Sequence, residues 1–197
     1  MSPLISAVMG NDVKAVRNLI EQGADVNEEL WGTHVIHYAT HNSPILTMLV
    51  EKGAKLNVTN TWGGTLMHTA AEGGYVDSAA LLLAHGADPH AQNREGLTPL
   101  QVATEQGKLE FVSFLLANGV DINEEGRGNI NSLFVAVETG DLDIVKFIVE
   151  KGANVNPAPP ICPIHLALRN KHFKIVEFLY SKGARISVPK YVRLQDK

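Results

Sequence analysis

Apolar residues recur along the chain at the spacing of short amphipathic helices that come in pairs. In the stretch 94–123, Leu100 and Ala103 lie three positions apart, which places them on one face of a short helix. Val112 and Leu115 then begin an i, i+3, i+4 pattern that predicts a second, longer helix. The stretch therefore predicts two consecutive helices, each with one apolar face.

Turn-forming residues bound both predicted helices. Thr98 and Pro99 fit a helix start, because a hydroxyl can cap the helix and proline fixes φ at the first helical position. Gly107 and Gly119 follow the two helices, and glycine readily adopts the left-handed conformation that ends many helices. A unit of this size cannot bury its own apolar face, so it must stack on neighbours.

The same unit recurs six times. Its second helix is followed by a glycine at intervals of 30 to 33 residues: Gly23, Gly53, Gly86, Gly119, Gly152 and Gly183. An alanine lies sixteen residues before five of these glycines, whereas Ala39 lies only fourteen residues before Gly53. The second unit has therefore lost two residues. We place the loss near Ser43 and Pro44 and expect it to shorten the turn between that unit's helices.

A large apolar residue lies three positions before each of these alanines and is predicted to be core: Leu4, Ile36, Met67, Leu100, Leu133 and Ile164. The motifs Thr65-Leu66-Met67-His68-Thr69-Ala70 and Gly152-Ala153-Asn154-Val155-Asn156 resemble the ankyrin repeat. The resemblance covers six units and nearly the whole chain. It implies an all-α solenoid of stacked helix-turn-helix repeats with β-hairpin or turn fingers.

One domain is expected over residues 1–186, followed by a basic tail or cap at 187–197. The repeats are expected at about 1–27, 28–57, 58–90, 91–123, 124–156 and 157–186. In the last repeat, prolines in the run 157–160 replace the usual turn, so we expect no normal hairpin there. In the tail, apolar residues are expected to fold back over the sixth repeat: Val188, Tyr191, Val192 and Leu194.

Composition narrows the class of protein. The chain is 45% hydrophobic but only 6% aromatic, which is typical of a water-soluble domain with an aliphatic core between slim helices. Cys162 is the only cysteine, so no intramolecular disulfide can form. No apolar run reaches the length of a membrane span, and residues 1–10 lack the basic start of a signal peptide. We therefore expect a cytoplasmic protein.

Charge is unevenly distributed along the chain. Residues 171–197 carry seven basic and two acidic side chains, whereas the rest carries ten basic and nineteen acidic ones. The acidic bulk argues against nucleic acid, which binds to basic stripes. The basic end could contact an acidic partner or a membrane surface, but a solvated cap is the interpretation that we favour.

Candidate chemistry is sparse. The spacing of His34, His37 and His41 could bring three imidazoles together around a metal ion. The repeat alignment separates them, however: His34 lies at the helix start, the resemblance implies that His37 hydrogen-bonds between repeats, and only His41 points to the concave side. Cys162 lies at a helix start, which can activate a thiol, but it has no readable histidine–aspartate partner. We therefore expect no catalytic residue, metal or cofactor.

In a stack of such repeats, the turn before each first helix (the tip) and the first-helix faces line one concave face. We predict that the following residues on this face bind a partner: Leu30, Trp31, His41, Thr61, Trp62, Glu72, Arg94, Glu95, Glu105, Arg127 and Glu138. Trp31 and Trp62 occupy equivalent tips, and exposed tryptophan is a common hot-spot residue. Alternatively, each tryptophan packs flat on the neighbouring tip. The charged residues would orient a partner or would be ordinary solvated surface.

The sequence therefore predicts a monomeric, non-catalytic protein–protein interaction module that acts as an adaptor, scaffold or inhibitor. A substrate-recognition subunit, or an enzyme with a hidden metal or thiol site, is the alternative. A part of a longer protein or a homo-oligomer remains a third hypothesis.

Overall fold

The computed structural model describes residues 1–157 and 162–186. The predictions for the proline run beyond Pro157, and for the tail at 187–197, lie outside these residues. Within them, twelve α-helices follow one another in six pairs: α1 (Pro3–Met9) with α2 (Val13–Glu21), α3 (Val35–Tyr38) with α4 (Ser43–Glu51), α5 (Leu66–Gly73) with α6 (Val76–Ala84), α7 (Pro99–Glu105) with α8 (Leu109–Ala117), α9 (Ser132–Thr139) with α10 (Leu142–Glu150), and α11 (Pro163–Arg169) with α12 (Phe173–Ser181).

Local capping explains why the first, inner helix of a pair begins where it does. Thr65 and Thr98 occupy the N-cap positions with extended backbone. The side chain of the third helical residue accepts from the N–H of the cap: the backbone N–H of Thr98 donates to Oε1 of Gln101 at 3.0 Å. The predicted start at Thr98 and Pro99 is confirmed.

The inner helices pack against one another in chain order and form one row, while the second, outer helices α2, α4, α6 and α8 form another. Burial follows the predicted periodicity, because the six large apolar positions before the alanines are all at most 1% exposed. These side chains belong to one core cluster that runs from Leu4 to Ala184. The stack therefore supplies the burial that a single unit lacks.

The second repeat departs from the others in its inner helix, and the prediction of a shorter turn is wrong. Helix α3 has only four residues, whereas α5 has eight and α7 has seven. The connection between α3 and α4 spans residues 39–42, which is longer than the two residues that join α5 to α6. The two missing residues were therefore lost from the end of the inner helix, not from the turn.

Tight turns of two kinds form the tips of the second, third and fourth repeats. Strands β1 (Glu29–Leu30) and β2 (Thr33–His34) form an antiparallel two-residue hairpin around Trp31 and Gly32. Both of these turn residues have positive φ, 52° and 75°, as a type I′ turn requires. The next two tips are built on Asn60 and Asn93, whose side chains accept from backbone N–H groups within the turn.

Asparagines also join consecutive repeats on the side of the outer helices. The Oδ1 of Asn27 accepts from the backbone N–H of Lys55 at 2.8 Å. The same bond recurs from Asn154 to Asn123 at 2.7 Å and from Arg185 to Asn156 at 2.8 Å. The asparagine four residues after the glycine that follows an outer helix therefore accepts a hydrogen bond from the backbone of the next repeat.

Candidate functional site

The two tryptophans stand out from the row of tips. Trp31 is 81% exposed and Trp62 is 77% exposed, so neither packs flat on a neighbouring tip. Trp31 also adopts a left-handed backbone conformation, which is unfavourable for a residue with a bulky side chain. Glycine or asparagine would fit this turn position better. The chain therefore keeps a large exposed ring at a position where the fold favours a smaller residue.

The arginines of the following tips lie over the glycines of the preceding ones. The backbone N–H of Arg94 donates to the carbonyl oxygen of Trp62 at 3.3 Å, and its Nη1 donates to the carbonyl oxygen of Thr61. A Cβ atom on Gly63 would overlap the Arg94 side chain. Likewise, the backbone N–H of Arg127 donates to the carbonyl oxygen of Gly96 at 2.9 Å. These two arginines thus hold the tips together, a role that the sequence reasoning missed.

Five of the predicted partner-binding residues line one groove between the third and fourth repeats: Trp62, Glu72, Arg94, Glu95 and Glu105. The groove has a volume of about 330 Å³, and Leu97 and Val102 contribute apolar surface to it. We call it the central groove. It combines an exposed aromatic ring, apolar surface and charged side chains, which is the composition of many binding sites.

The shortened inner helix of the second repeat leaves a second hollow, of about 480 Å³, beside the central groove. Met9, His41 and Tyr75 line it, and it shares Glu72 with the central groove. The ring of Tyr75 folds back over Gly73, where a Cβ would overlap it, and lies 6.2 Å from the His41 ring. We call this hollow the aromatic notch.

Sequence reasoning missed Met9 and Tyr75 as lining residues. The signals that could have revealed them were the two-residue loss in repeat two and the glycine pair before Tyr75.

The remaining predicted residues are distributed along the same side. Thr61, Arg127 and Glu138 are exposed. Leu30 is half-buried against the core, and its carbonyl oxygen accepts from Tyr38 Oη at 3.1 Å. Leu30 therefore offers less free surface than its neighbours.

The three clustered histidines point to different partners. His34 Nε2 lies 3.2 Å from Glu29 Oε1, and His37 Nδ1 lies 3.0 Å from Thr69 Oγ1. His41 faces the aromatic notch instead. Across residues 1–157 and 162–186, no three His, Cys, Asp or Glu side chains are arranged to hold a metal ion.

Two histidines are neutral parts of the stack. Burial lowers the pKa of His37 from its ordinary value of 6.5 to about 4. Burial also lowers the pKa of His68, whose Nε2 donates to the carbonyl oxygen of Leu97 in the next repeat at 2.8 Å. Gln101 takes this position in the fourth repeat and donates to the carbonyl oxygen of Ile130 at 2.6 Å. The bond between repeats that was expected at His37 is thus present through Thr69, and equivalent bonds are present at His68 and Gln101.

Cys162 is half-buried and unpaired by any disulfide, with Sγ 4.0 Å from the carbonyl oxygen of Arg185.

Over the part of the chain that the structure describes, no helix is long and apolar enough to cross a membrane.

Stacked helix pairs with turn tips and one shared core define a repeat solenoid. A family model for ankyrin repeats matches residues 1–60, 37–126, 66–159 and 127–190. The chain belongs to the ankyrin repeat family, whose domains generally mediate protein–protein interaction and are typically non-catalytic.

Solved ankyrin repeat domains have the same fold. The human ASB11 ankyrin repeat domain is 28% identical, with a TM-score of 0.84, over 95% of this chain and 86% of that one. The ankyrin repeat domain of Bcl-3, described as a unique member of the IkappaB protein family, is 27% identical, with a TM-score of 0.80, over 95% and 89% of the two chains. A search of curated proteins found no significant match.

Proposed function

We propose that this chain is a non-catalytic module that binds another protein through its concave face and acts as an adaptor, scaffold or inhibitor. The carrying observation is that five predicted partner-binding residues line the central groove, with the Trp62 ring 77% exposed at its edge. Exposed tryptophan next to apolar surface is typical of an interaction hot spot.

Trp31 supports the same proposal. Its left-handed backbone is unfavourable, and strained residues cluster at functional sites. Trp31 and Trp62 occupy equivalent tips in adjacent repeats, so one partner surface can engage both rings. The aromatic notch adds apolar surface on the same side.

We also propose that the chain acts as a monomer in the cytoplasm and that its partner is a protein rather than a nucleic acid. The acidic balance of residues 1–170 supports the last point, because nucleic-acid binding uses clustered basic residues.

Affinity capture from cell lysate tests the proposal. The intact chain is compared with a Trp31→Ala, Trp62→Ala double variant. The matched control is Phe173→Ala, Tyr180→Ala, which removes two aromatic rings that are 62% and 67% exposed on α12, away from the tips. Circular dichroism must show that all three proteins are folded.

We expect the intact chain and the control variant to retain a protein that the tryptophan variant loses. Equal retention by both variants would place the interface elsewhere. Loss from the α12 variant alone would move it to the last repeat.

A further inference from the structure

One position at the end of the inner helices, or just past the end of the short α3, forms a row across all six repeats. It lies two residues after the alanine that marks each repeat: Met9, His41, Glu72, Glu105, Glu138 and Arg169. All six side chains are exposed. The middle of the row is three consecutive glutamates, and the only cation stands at its last place.

None of the cations that the structure describes pairs with the three glutamates. Within residues 1–157 and 162–186, the ion pairs are His34 with Glu29, His90 with Glu124, and Lys146 with Asp143, so the row takes part in none. Glu95 adds another carboxylate at the edge of the central groove. Arg94 is the cation that lines this groove, but its Nη1 is held by the carbonyl oxygen of Thr61.

Apolar and aromatic surface flanks these carboxylates. Glu72 lies where the central groove meets the aromatic notch, so Trp62 is on one side of it and Tyr75 on the other. An aromatic face next to carboxylates suits a lysine or arginine side chain, because the ring attracts the cation and the apolar stem packs on it.

The spacing of the row also restricts the occupant. Helices α5, α7 and α9, which carry the three glutamates, pack side by side. Packed helices lie about 8–10 Å apart, so the carboxylates form a ladder with roughly that step. A partner helix rises about 1.5 Å per residue and repeats this step every seven residues or so.

We propose that the concave face binds a segment of a partner protein that carries lysine or arginine side chains about 10 Å apart, as on every second turn of a helix. This inference rests on the function proposed above and names the chemistry of the partner. The cations pair with Glu72, Glu105 and Glu138, and the apolar part of the segment lies toward Trp62 and the aromatic notch.

The test uses three fluorescent, alanine-based helical peptides of about 21 residues with the same leucine content. The first has three arginines spaced seven residues apart, the second has the same composition with the arginines adjacent, and the third has glutamates in place of the spaced arginines. Binding to the intact chain is measured by fluorescence anisotropy at low and at physiological salt.

Two triple variants separate the ladder from bulk charge. Glu72→Gln, Glu105→Gln, Glu138→Gln removes the ladder, whereas Glu21→Gln, Glu51→Gln, Glu150→Gln removes three exposed carboxylates from the ends of outer helices. The spaced peptide should bind the ladder variant about tenfold more weakly, and the control variant within about twofold of the intact chain.

The inference would be overturned if the spaced arginine peptide did not bind. It would also be overturned if the clustered or acidic peptide bound equally well, or if both triple variants lost affinity equally. The ladder variant is also used in the lysate capture described above. If it retains a partner that the tryptophan variant loses, the proposed function stands and the cationic occupant is wrong.

Discussion

The second and fourth repeats follow the same sequence pattern but present different surfaces to the concave face. In the fourth repeat, Thr98 caps a seven-residue inner helix, and Gln101 completes the bond to the next repeat. In the second repeat, His34 replaces the capping threonine, the inner helix has four residues, and a tryptophan occupies a left-handed turn position. The repeat that departs most from the pattern is thus the one that borders the aromatic notch.

The difference suggests that the two repeats contribute to the concave face in different ways. A regular repeat gains its stability from caps and close packing, and the fourth repeat lines the central groove with side chains carried on that regular frame. An irregular repeat gives up part of this packing and gains a hollow with exposed aromatic rings. Natural proteins commonly depart from the locally best sequence at functional sites.

Truncating a core side chain should lower the free energy of unfolding more than any other change. The loss should differ between the two repeats. Leu100→Ala removes a fully buried side chain and should lower the free energy of unfolding by about 3 kcal/mol. Ile36→Ala removes an equally buried one, but α3 borders the aromatic notch, into which neighbours can relax. We expect a loss nearer to about 2 kcal/mol there, measured by urea unfolding. Equal losses would show that α3 is held as firmly as α7.

The next largest effect on stability is expected from lowering the pH. It should act through the second repeat and not the fourth, because His37 titrates and Gln101 does not. The pKa of His37 is about 4 when folded and 6.5 when unfolded, so the unfolded chain binds more protons between these values. Neutral His37 therefore contributes stability to the folded chain that is fully present above pH 6.5 and is lost as the pH falls toward 4. It amounts to about 3 kcal/mol at most.

His37→Gln copies the residue of the fourth repeat and should reduce this pH dependence, measured as the urea midpoint between pH 7 and pH 4.5. The matched control is His85→Gln, because His85 is exposed. An identical pH dependence in the two variants would rule out a contribution from His37.

Trp31→Gly should raise the free energy of unfolding by about 0.5–1 kcal/mol, because glycine adopts the left-handed turn without the Cβ clash. Trp62→Gly is the control, since Trp62 does not have a positive φ. Thermal unfolding measures both. The stabilised Trp31→Gly protein should retain less partner in the lysate capture, and a gain in both properties would contradict a binding role for Trp31.

The smallest effect is expected at the hairpin of the second repeat. Glu29→Gln removes the exposed partner of His34 across the two strands and should cost about 0.5 kcal/mol or less. Urea unfolding measures this loss. A larger loss would mean that the hairpin needs this pair in place of the missing threonine cap.

The regular part of the fold could be predicted because its signals are local. The Thr98-Pro99 start and the glycine after each outer helix act within one turn of the chain, and the buried apolar positions repeat with the period of the unit. The period alone could not show where repeat two had shortened. Counting residues detects a loss of two but does not assign it to a helix or to a turn.

The candidate site was predictable only in part. The repeat alignment places Glu72 and Glu105 on one side, because equivalent positions in a solenoid share a face. It does not show that the Tyr75 ring folds over Gly73, or that Arg94 reaches back to the previous tip. Both contacts depend on side-chain conformation, which has no period in the sequence.

The asparagine bonds between repeats have a consequence for how such a chain can change its length. Asn27, Asn123 and Asn156 each contribute a side chain, while the neighbouring repeat contributes only backbone N–H and carbonyl groups. Every residue except proline has both groups, so a duplicated or deleted unit would find a partner at each new junction without a matching mutation. The junction of His90 with Glu124 instead needs both side chains. A gene duplication that separates these two residues would leave that junction to be repaired by further substitution.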